Sequence, residues 1–107
     1  MTTEIREIKQ GLQEQGADEQ IEYTLTTTPW GTSPTSTSAT IWSHDPTTDV
    51  YTNVTATNMS GSTSVSGDVI TLPIVKSLVA GTLYRVEVQF TSGNSIFEPF
   101  GKILGKR

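Results

Sequence analysis

Apolar and polar residues alternate over short stretches of the chain, and such alternation is typical of half-buried strands. The clearest stretch covers residues 83–91. Its apolar members are Tyr84, Val86, Val88 and Phe90. Because neighbouring side chains on a strand point to opposite sides, this pattern predicts a core strand with one face in solvent. Residues 20–27 alternate in the same way through Ile21, Tyr23 and Leu25, and they predict a second such strand.

Five further strands are predicted between turn-forming residues. They cover residues 38–43, 49–57, 64–66, 69–72 and 95–100. Gly67 and Asp68 form a hairpin turn between two of them. Pro99 favours an edge position for the last strand, because proline has no N–H to donate to a neighbouring strand. No stretch requires a helix.

Residues 4–15 fit neither periodicity cleanly. Ile5, Ile8 and Leu12 recur at helical spacing, but Gly11 lies between them and Gly16 follows. Glycine weakens a helix, so we expect an extended arm or an edge strand here.

The number and spacing of the predicted strands favour one all-β domain. About seven strands with turn signals every 8–12 residues or so are typical of an antiparallel β-sandwich. We therefore expect an N-terminal arm or edge strand over residues 1–17, the sandwich over 18–100 and a basic C-terminal tail over 101–107. The side chains expected inside are Ile21, Tyr23, Leu25, Ile41, Val50, Val54, Val69, Ile70, Leu72, Leu78, Tyr84, Val86, Val88, Phe90 and Phe97.

Composition supports this expectation. Threonine and serine make up 30 of the 107 residues, and β-branched threonine suits a pleated surface. A mucin-like stalk is the alternative, but the period of two within the same region opposes it. A chain of this length supports one modest core, which excludes a multi-domain enzyme. We expect neither a membrane span nor a secretion signal, because no apolar run has the required length.

Candidate chemistry is sparse. The single histidine lies in the run Ser43, His44, Asp45, and adjacent residues on a strand point apart, so these three cannot form a catalytic triad. The chain has no cysteine, and Asp45 and Asp49 lack the spacing of a calcium loop. The formal net charge of -4 opposes nucleic-acid binding. We expect no enzyme activity, no metal and no cofactor.

The two tryptophans have different predicted roles. Trp42 lies in a predicted strand, and we expect it to pack in the core between two sheets. Trp30 lies in a loop with Pro29 and Gly31. An aromatic side chain there either contacts a protein or a carbohydrate, or it anchors the loop.

Residues 78–88, LVAGTLYRVEV, resemble the E–F corner and F strand of immunoglobulin-like and fibronectin-like sandwiches. In that resemblance Leu78 anchors the loop and Gly81 turns it. Tyr84 would bury its ring while its hydroxyl bonds to the loop backbone, an arrangement called the tyrosine corner. The resemblance implies a single Ig-like β-sandwich.

A narrower resemblance extends over residues 18–98. It is carried by the segments 18–25 (DEQIEYTL), Trp30, 38–42 (SATIW), 66–70 (SGDVI) and 80–86 (AGTLYRV). Together these are similar to small Ig-like virion proteins of tailed bacteriophages, of the head decoration and fibre-tail adaptor kind. The resemblance implies a non-enzymatic structural part of a virion, bound in many copies. The basic residues after Phe100 depart from that pattern.

The expected function is that of a capsid decoration protein in the virion, bound to the major capsid protein, to other virion proteins or to copies of itself. A fibre-tail or head-tail adaptor is the alternative within the virion. A carbohydrate- or surface-binding Ig-like module, using Trp30 and Tyr51, is the alternative from another class. No nucleic acid or membrane partner is expected. The candidate contact residues lie in the arm, one loop and the tail: Ile5, Ile8, Leu12, Trp30, Lys102, Lys106 and Arg107.

Overall fold

The computed structural model describes residues 7–106, and for residues 7–12 it describes the backbone alone. Nearly all the regular secondary structure in this part of the chain is strand. In chain order its elements are β1 (Glu7–Gly16), β2 (Thr24–Thr26), β3 (Thr35–Asp45), β4 (Val50–Asn53), α1 (Thr55–Asn58), β5 (Met59–Ser60), β6 (Ser64–Ser66), β7 (Val69–Thr71), β8 (Ile74–Val75), β9 (Leu83–Ser92), β10 (Ser95–Phe97) and β11 (Phe100–Lys106). Across residues 7–106, no helix has the length and apolar character needed to cross a bilayer.

The strands form the predicted all-β sandwich. The larger sheet has the order β1-β11-β9-β3-β4, and β10 pairs with β9 beside β11. Its pairs are antiparallel except β1 with β11, which run parallel. The smaller sheet has the order β2-β7-β6. The short pair β5-β8 continues that layer, because an isolated bridge joins Ile21 to Val75 of β8.

The core lies between these layers and follows the alternation of β9. Its inward side chains pack against buried residues of both sheets, and the buried apolar set is Leu25, Ile41, Met59, Ile70, Leu72, Val75, Leu78, Tyr84, Val86, Val88, Phe90 and Ile103. Most of the predicted interior is confirmed. Val50 was predicted inside but is 53% exposed, because it belongs to the edge strand β4. Met59, Val75 and Ile103 were not predicted.

The loop before β9 has the tyrosine-corner geometry that the resemblance of residues 78–88 implied. The Val79 N–H donates a hydrogen bond of 2.8 Å to the Tyr84 hydroxyl, and both Leu78 and Tyr84 are buried. Gly81 has a φ of +85°, a conformation that side chains rarely adopt. Gly105 of β11 lies directly under this loop, because a Cβ there would overlap the Val79 carbonyl oxygen.

The strand predicted over residues 49–57 is shorter than expected. It ends at Asn53, whose side-chain oxygen accepts hydrogen bonds from the N–H and hydroxyl of Thr55. Such local bonds favour a turn over continued pairing. The chain then forms the single helical turn α1, where no helix was expected.

The prediction that a basic tail follows the sandwich from residue 101 is wrong. Residues 101–106 belong to β11, which lies inside the larger sheet between β1 and β9. Pro99 lies in the break between β10 and β11, where its carbonyl still accepts the N–H of Val88 at 3.0 Å. Pairing to β9 therefore resumes after the proline, and β11 occupies an interior position instead of the expected edge.

The N-terminal stretch forms the edge strand β1, one of the two predicted options. An ion pair joins β1 to β11: Lys106 Nζ lies 3.3 Å from Glu14 Oε2. Gln15 is buried at the end of the strand. Its amide contacts join β1 to the smaller-sheet layer.

Candidate functional site on the outer face of the larger sheet

The candidate site is built by the side chains of the larger sheet that point away from the core. They alternate with the buried residues of β3, β9 and β11, and the strand register brings them into neighbouring rows. We call this surface the outer face and define it by Trp42, His44, Tyr51, Leu83, Arg85, Glu87, Phe100 and Lys102. Trp42, Arg85 and Lys102 lie opposite one another across three strands.

Trp42 was predicted inside the core, and this prediction is wrong. Ile41 takes the inward position on β3 and is fully buried, so its neighbour Trp42 points to the outer face. The indole remains half-buried there. Its Nε1 is buried and has no hydrogen-bond acceptor within the described part of the chain.

Arg85 is held at the middle of the outer face by two contacts. Its guanidinium carbon lies 3.9 Å from the centre of the Phe100 ring, and its Nε donates to Glu87 Oε2 at 2.9 Å. About a third of each charged side chain is exposed. A cation fixed over an aromatic ring is presented in a defined orientation, with N–H groups available to a partner.

His44 and Tyr51 form a second aromatic group beside it. Their rings stack at 4.6 Å between centroids with an interplanar angle of 26°, and His44 Nε2 lies 2.7 Å from Asp49 Oδ1. Ser43 and Asp45 flank His44 along β3 and therefore point to the other side of the sheet, as the sequence predicted. The carboxylate in hydrogen-bond contact with His44 is that of Asp49, from the turn between β3 and β4.

The depression found on the outer face is small. It is lined by His44, Tyr51, Leu83, Arg85 and Lys102 and has a volume of about 10 Å³, which is room for about one water molecule. Small-molecule pockets usually measure about 300 Å³ or more. The shape therefore suits a protein surface better than a small ligand. No group of three or more metal-ligating side chains occurs in the described part of the chain.

A larger cavity of about 300 Å³ opens at the side of the sandwich, between β2 and β11. Half of its described lining residues belong to the core or pack against it, and the other half are polar residues and a glycine. The first group is Tyr23, Leu25, Leu72, Val86 and Ile103, and the second is Gln13, Glu22, Thr24, Gly101 and Lys102. Beside it, the pairing of β1 with β11 shifts register between Glu7 and Leu12. The side chains of this part of β1 belong to residues of which only the backbone is described.

The predicted contact residues are not brought together as one site. Ile5 and Arg107 lie outside the described residues, and Ile8 and Leu12 lie in β1 without described side chains. Lys102 and Lys106 lie in β11, with Lys102 on the outer face. Trp30 is half-buried and packs against the core, which favours loop anchoring.

The alternative glycan site through Trp30 and Tyr51 is not assembled. Tyr51 pairs with His44, which lies opposite Leu83 at the start of β9. Trp30 belongs to the loop whose Gly31 packs against Ser92, at the other end of the same strand. Ten residues of strand span roughly 30 Å, so the two rings lie on distant parts of the molecule.

Sequence reasoning missed most of the outer face as a site. Arg85 and Glu87 were assigned to the solvent face of β9, but nothing in the sequence paired Arg85 with Phe100, 15 positions away. The available signal was the position of Trp42. It directly follows the apolar Ile41 in the same strand, so the two side chains must point to opposite faces of the sheet. No protein-family model matches the chain, and no curated protein matches it.

Proposed function

We propose that this protein is a non-enzymatic structural component of a tailed-phage virion, a capsid decoration protein that binds the shell of the major capsid protein. The phage assignment is supported by the sequence resemblance over residues 18–98. Segment 78–88, which carries part of that resemblance, has the hydrogen bond from Val79 to Tyr84 that the related sandwiches use.

The residue types of the outer face are the observation that supports a binding role. This face combines tryptophan, tyrosine and an arginine stacked on phenylalanine, the residue types enriched at the centres of protein interfaces. The face is half-exposed and its depression beside Arg85 is small, so a partner surface can cover it. Aromatic side chains and a fixed guanidinium lose little conformational entropy on binding.

The surface proposed for capsid contact differs from the one that the sequence suggested. Most of the expected contact residues lay in the N-terminal arm and in the basic tail. In the structure β1 and β11 pair with each other, and Glu14 and Lys106 satisfy each other's charge. The outer face takes their place, and of the predicted residues Lys102 belongs to it.

Binding to capsid shells tests this proposal. Arg85→Gln removes the charge and the stacked guanidinium, while Lys76→Gln makes the same change of charge in the loop after β8. If the outer face contacts the shell, Arg85→Gln weakens binding by more than about tenfold, as interface arginines commonly do. Lys76→Gln binds like the unaltered protein.

Binding is measured as occupancy on shells stripped of the protein and then titrated with each variant. Equal occupancy of Arg85→Gln and unaltered protein would contradict the role of the outer face. An adaptor at the tail or the head-tail junction is the other virion position, and it differs from a decoration protein in copy number.

A further inference from the structure

Strand β4 ends the larger sheet with an unpaired edge. It pairs with β3 alone among the described strands. The N–H of Val54 donates to the Ile41 carbonyl at 3.0 Å. This bond identifies the residues of β4 whose backbone groups hydrogen-bond to β3. Because hydrogen-bonded positions alternate in an antiparallel pair, the backbone groups of Tyr51 and Asn53 point away from β3 toward the open edge.

The side chains of β4 do not protect this edge. All four residues are exposed, with Val50 at 53% and Tyr51 at 45%. Sheet edges are commonly protected by lysine, proline or a bulge. β4 contains neither residue, and its pairing with β3 is regular. The edge of β1, at the other side of the sheet, carries Lys9 and Glu14.

We propose that β4 pairs antiparallel with β4 of a second copy of this chain, around a two-fold axis at Thr52. In this register Tyr51 lies opposite Asn53 of the second copy, and these residues exchange the hydrogen bonds of their free backbone groups. Thr52 lies opposite its own counterpart. The larger sheets of the two copies thereby become one continuous sheet.

The edge fits its own copy in this register. Exposed Val50 lies opposite Val54 of the second copy, so apolar side chains meet on the inner side of the sheet. Asp49, the charged residue directly before β4, is three positions from Thr52 on the two-fold axis, so it does not lie opposite its own counterpart. An isologous contact needs such self-complementarity, and like charges directly opposed would destabilise it.

Sedimentation velocity of the full chain tests the pairing between about 10 μM and about 1 mM, the range in which small interfaces associate. The average mass of the unaltered protein is expected to rise with concentration from 11.6 kDa toward twice that value. Thr52→Lys and Thr52→Glu each place like charges opposite each other across the two-fold axis. Each substitution alone raises the dissociation constant by about tenfold or more, and an equimolar mixture of the two variants associates again.

Ser66→Lys, at an exposed position on the edge strand β6, is the matched control and leaves association unchanged. A monomer over the whole concentration range would overturn the proposal. A dimer whose dissociation constant Thr52→Lys leaves unaltered would do the same, because the interface would then lie elsewhere.

A cross-link tests the register independently of charge. The chain has no cysteine, so Thr52→Cys introduces the single thiol of the molecule. Facing cysteines at a non-hydrogen-bonded antiparallel pair are close enough for a disulfide. Mild oxidation is expected to give covalent dimers of Thr52→Cys and monomers of Thr47→Cys, in the exposed turn before β4. Equal cross-linking of both variants would contradict the register.

Discussion

The side-chain amide of Gln15 is buried where β1 meets the second layer, with 1% of the residue exposed. Its Nε2 donates to the carbonyls of Val75 and Glu19 at 2.7 and 3.0 Å, and its Oε1 accepts from the Tyr23 hydroxyl at 2.9 Å. These bonds join an edge strand to β8 and to the loop between β1 and β2. A polar residue next to Gly16 gave no sign of this role in the sequence, because its partners are brought together only by the fold.

Replacing Gln15 with alanine removes these bonds: the Tyr23 hydroxyl loses the Gln15 acceptor and the Glu19 carbonyl loses the Gln15 donor, whereas the Val75 carbonyl keeps the N–H of Ile21. Unsatisfied buried groups cost about 1–3 kcal/mol, so we expect the free energy of unfolding of Gln15→Ala to fall by about that amount or more. Gln89→Ala, at an exposed position of β9, is the control and changes stability by less than about 0.5 kcal/mol. Urea titration measures both. Equal stability of the two variants would contradict the structural role of Gln15.

Tyr23 makes stability depend on pH in the alkaline range. Burial, and then the negative charge of Glu19, raise the pKa of Tyr23 above its ordinary value of 10.0. The folded protein therefore holds the phenolic proton more tightly than the unfolded chain does. This contribution is complete below pH 10 and is lost as the pH rises above 10 through the folded pKa.

The measurement is chemical unfolding at a series of pH values from 8 to about 11.5. Other groups titrate in this range, so the test is a difference between variants. Tyr23→Phe has no proton to lose, and its stability should decline less steeply above pH 10 than that of the unaltered protein. Parallel curves would show that Tyr23 does not titrate differently in the two states.

At the scale of elements, alternation and turn residues predicted the strands and the hairpin that depend on interactions between residues close in the chain. The alternation in residues 83–91 predicted β9, and Gly67 with Asp68 predicted the hairpin of β6 and β7. β11 was missed because its neighbours are β1 and β9, and neither contact leaves a local trace in a short segment with two glycines. Pro99 indicated an edge by a rule that holds for regular strands, whereas here it lies in a break.

Close packing between β11 and the loop before β9 explains one of those glycines. A Cβ at Gly105 would overlap the Val79 carbonyl oxygen, which is backbone and cannot move aside cheaply. We expect Gly105→Ala to lower the free energy of unfolding by about 1–3 kcal/mol, as overpacking commonly does. In Gly16→Ala the nearest atom is a carboxylate oxygen of Glu19 at 3.1 Å, at the end of a flexible side chain.

Thermal or urea unfolding compares the two glycine variants. A larger loss of stability in Gly105→Ala than in Gly16→Ala supports the tight contact between β11 and the tyrosine-corner loop. The reverse order would mean that the loop moves aside at little cost.

At the scale of the whole molecule, the sandwich could be predicted from the sequence but its candidate site could not. Alternation determines which side chains are buried, and so it indicates the layers. The outer face depends on register between strands distant in the chain, such as Trp42 opposite Arg85 and Arg85 opposite Lys102. Register follows from the packed core and the turns together, so apart from the position of Trp42 directly after Ile41, single residues of the site gave no separate signal.

The proposed role in a virion depends on the number of copies of this chain in each particle. Quantitative mass spectrometry of purified phage particles, scaled to the major capsid protein, measures that number directly. A capsid decoration protein is expected in the hundreds per particle. A count of a few to a dozen would contradict decoration of the shell and indicate an adaptor, and absence from the particles would contradict a virion role altogether.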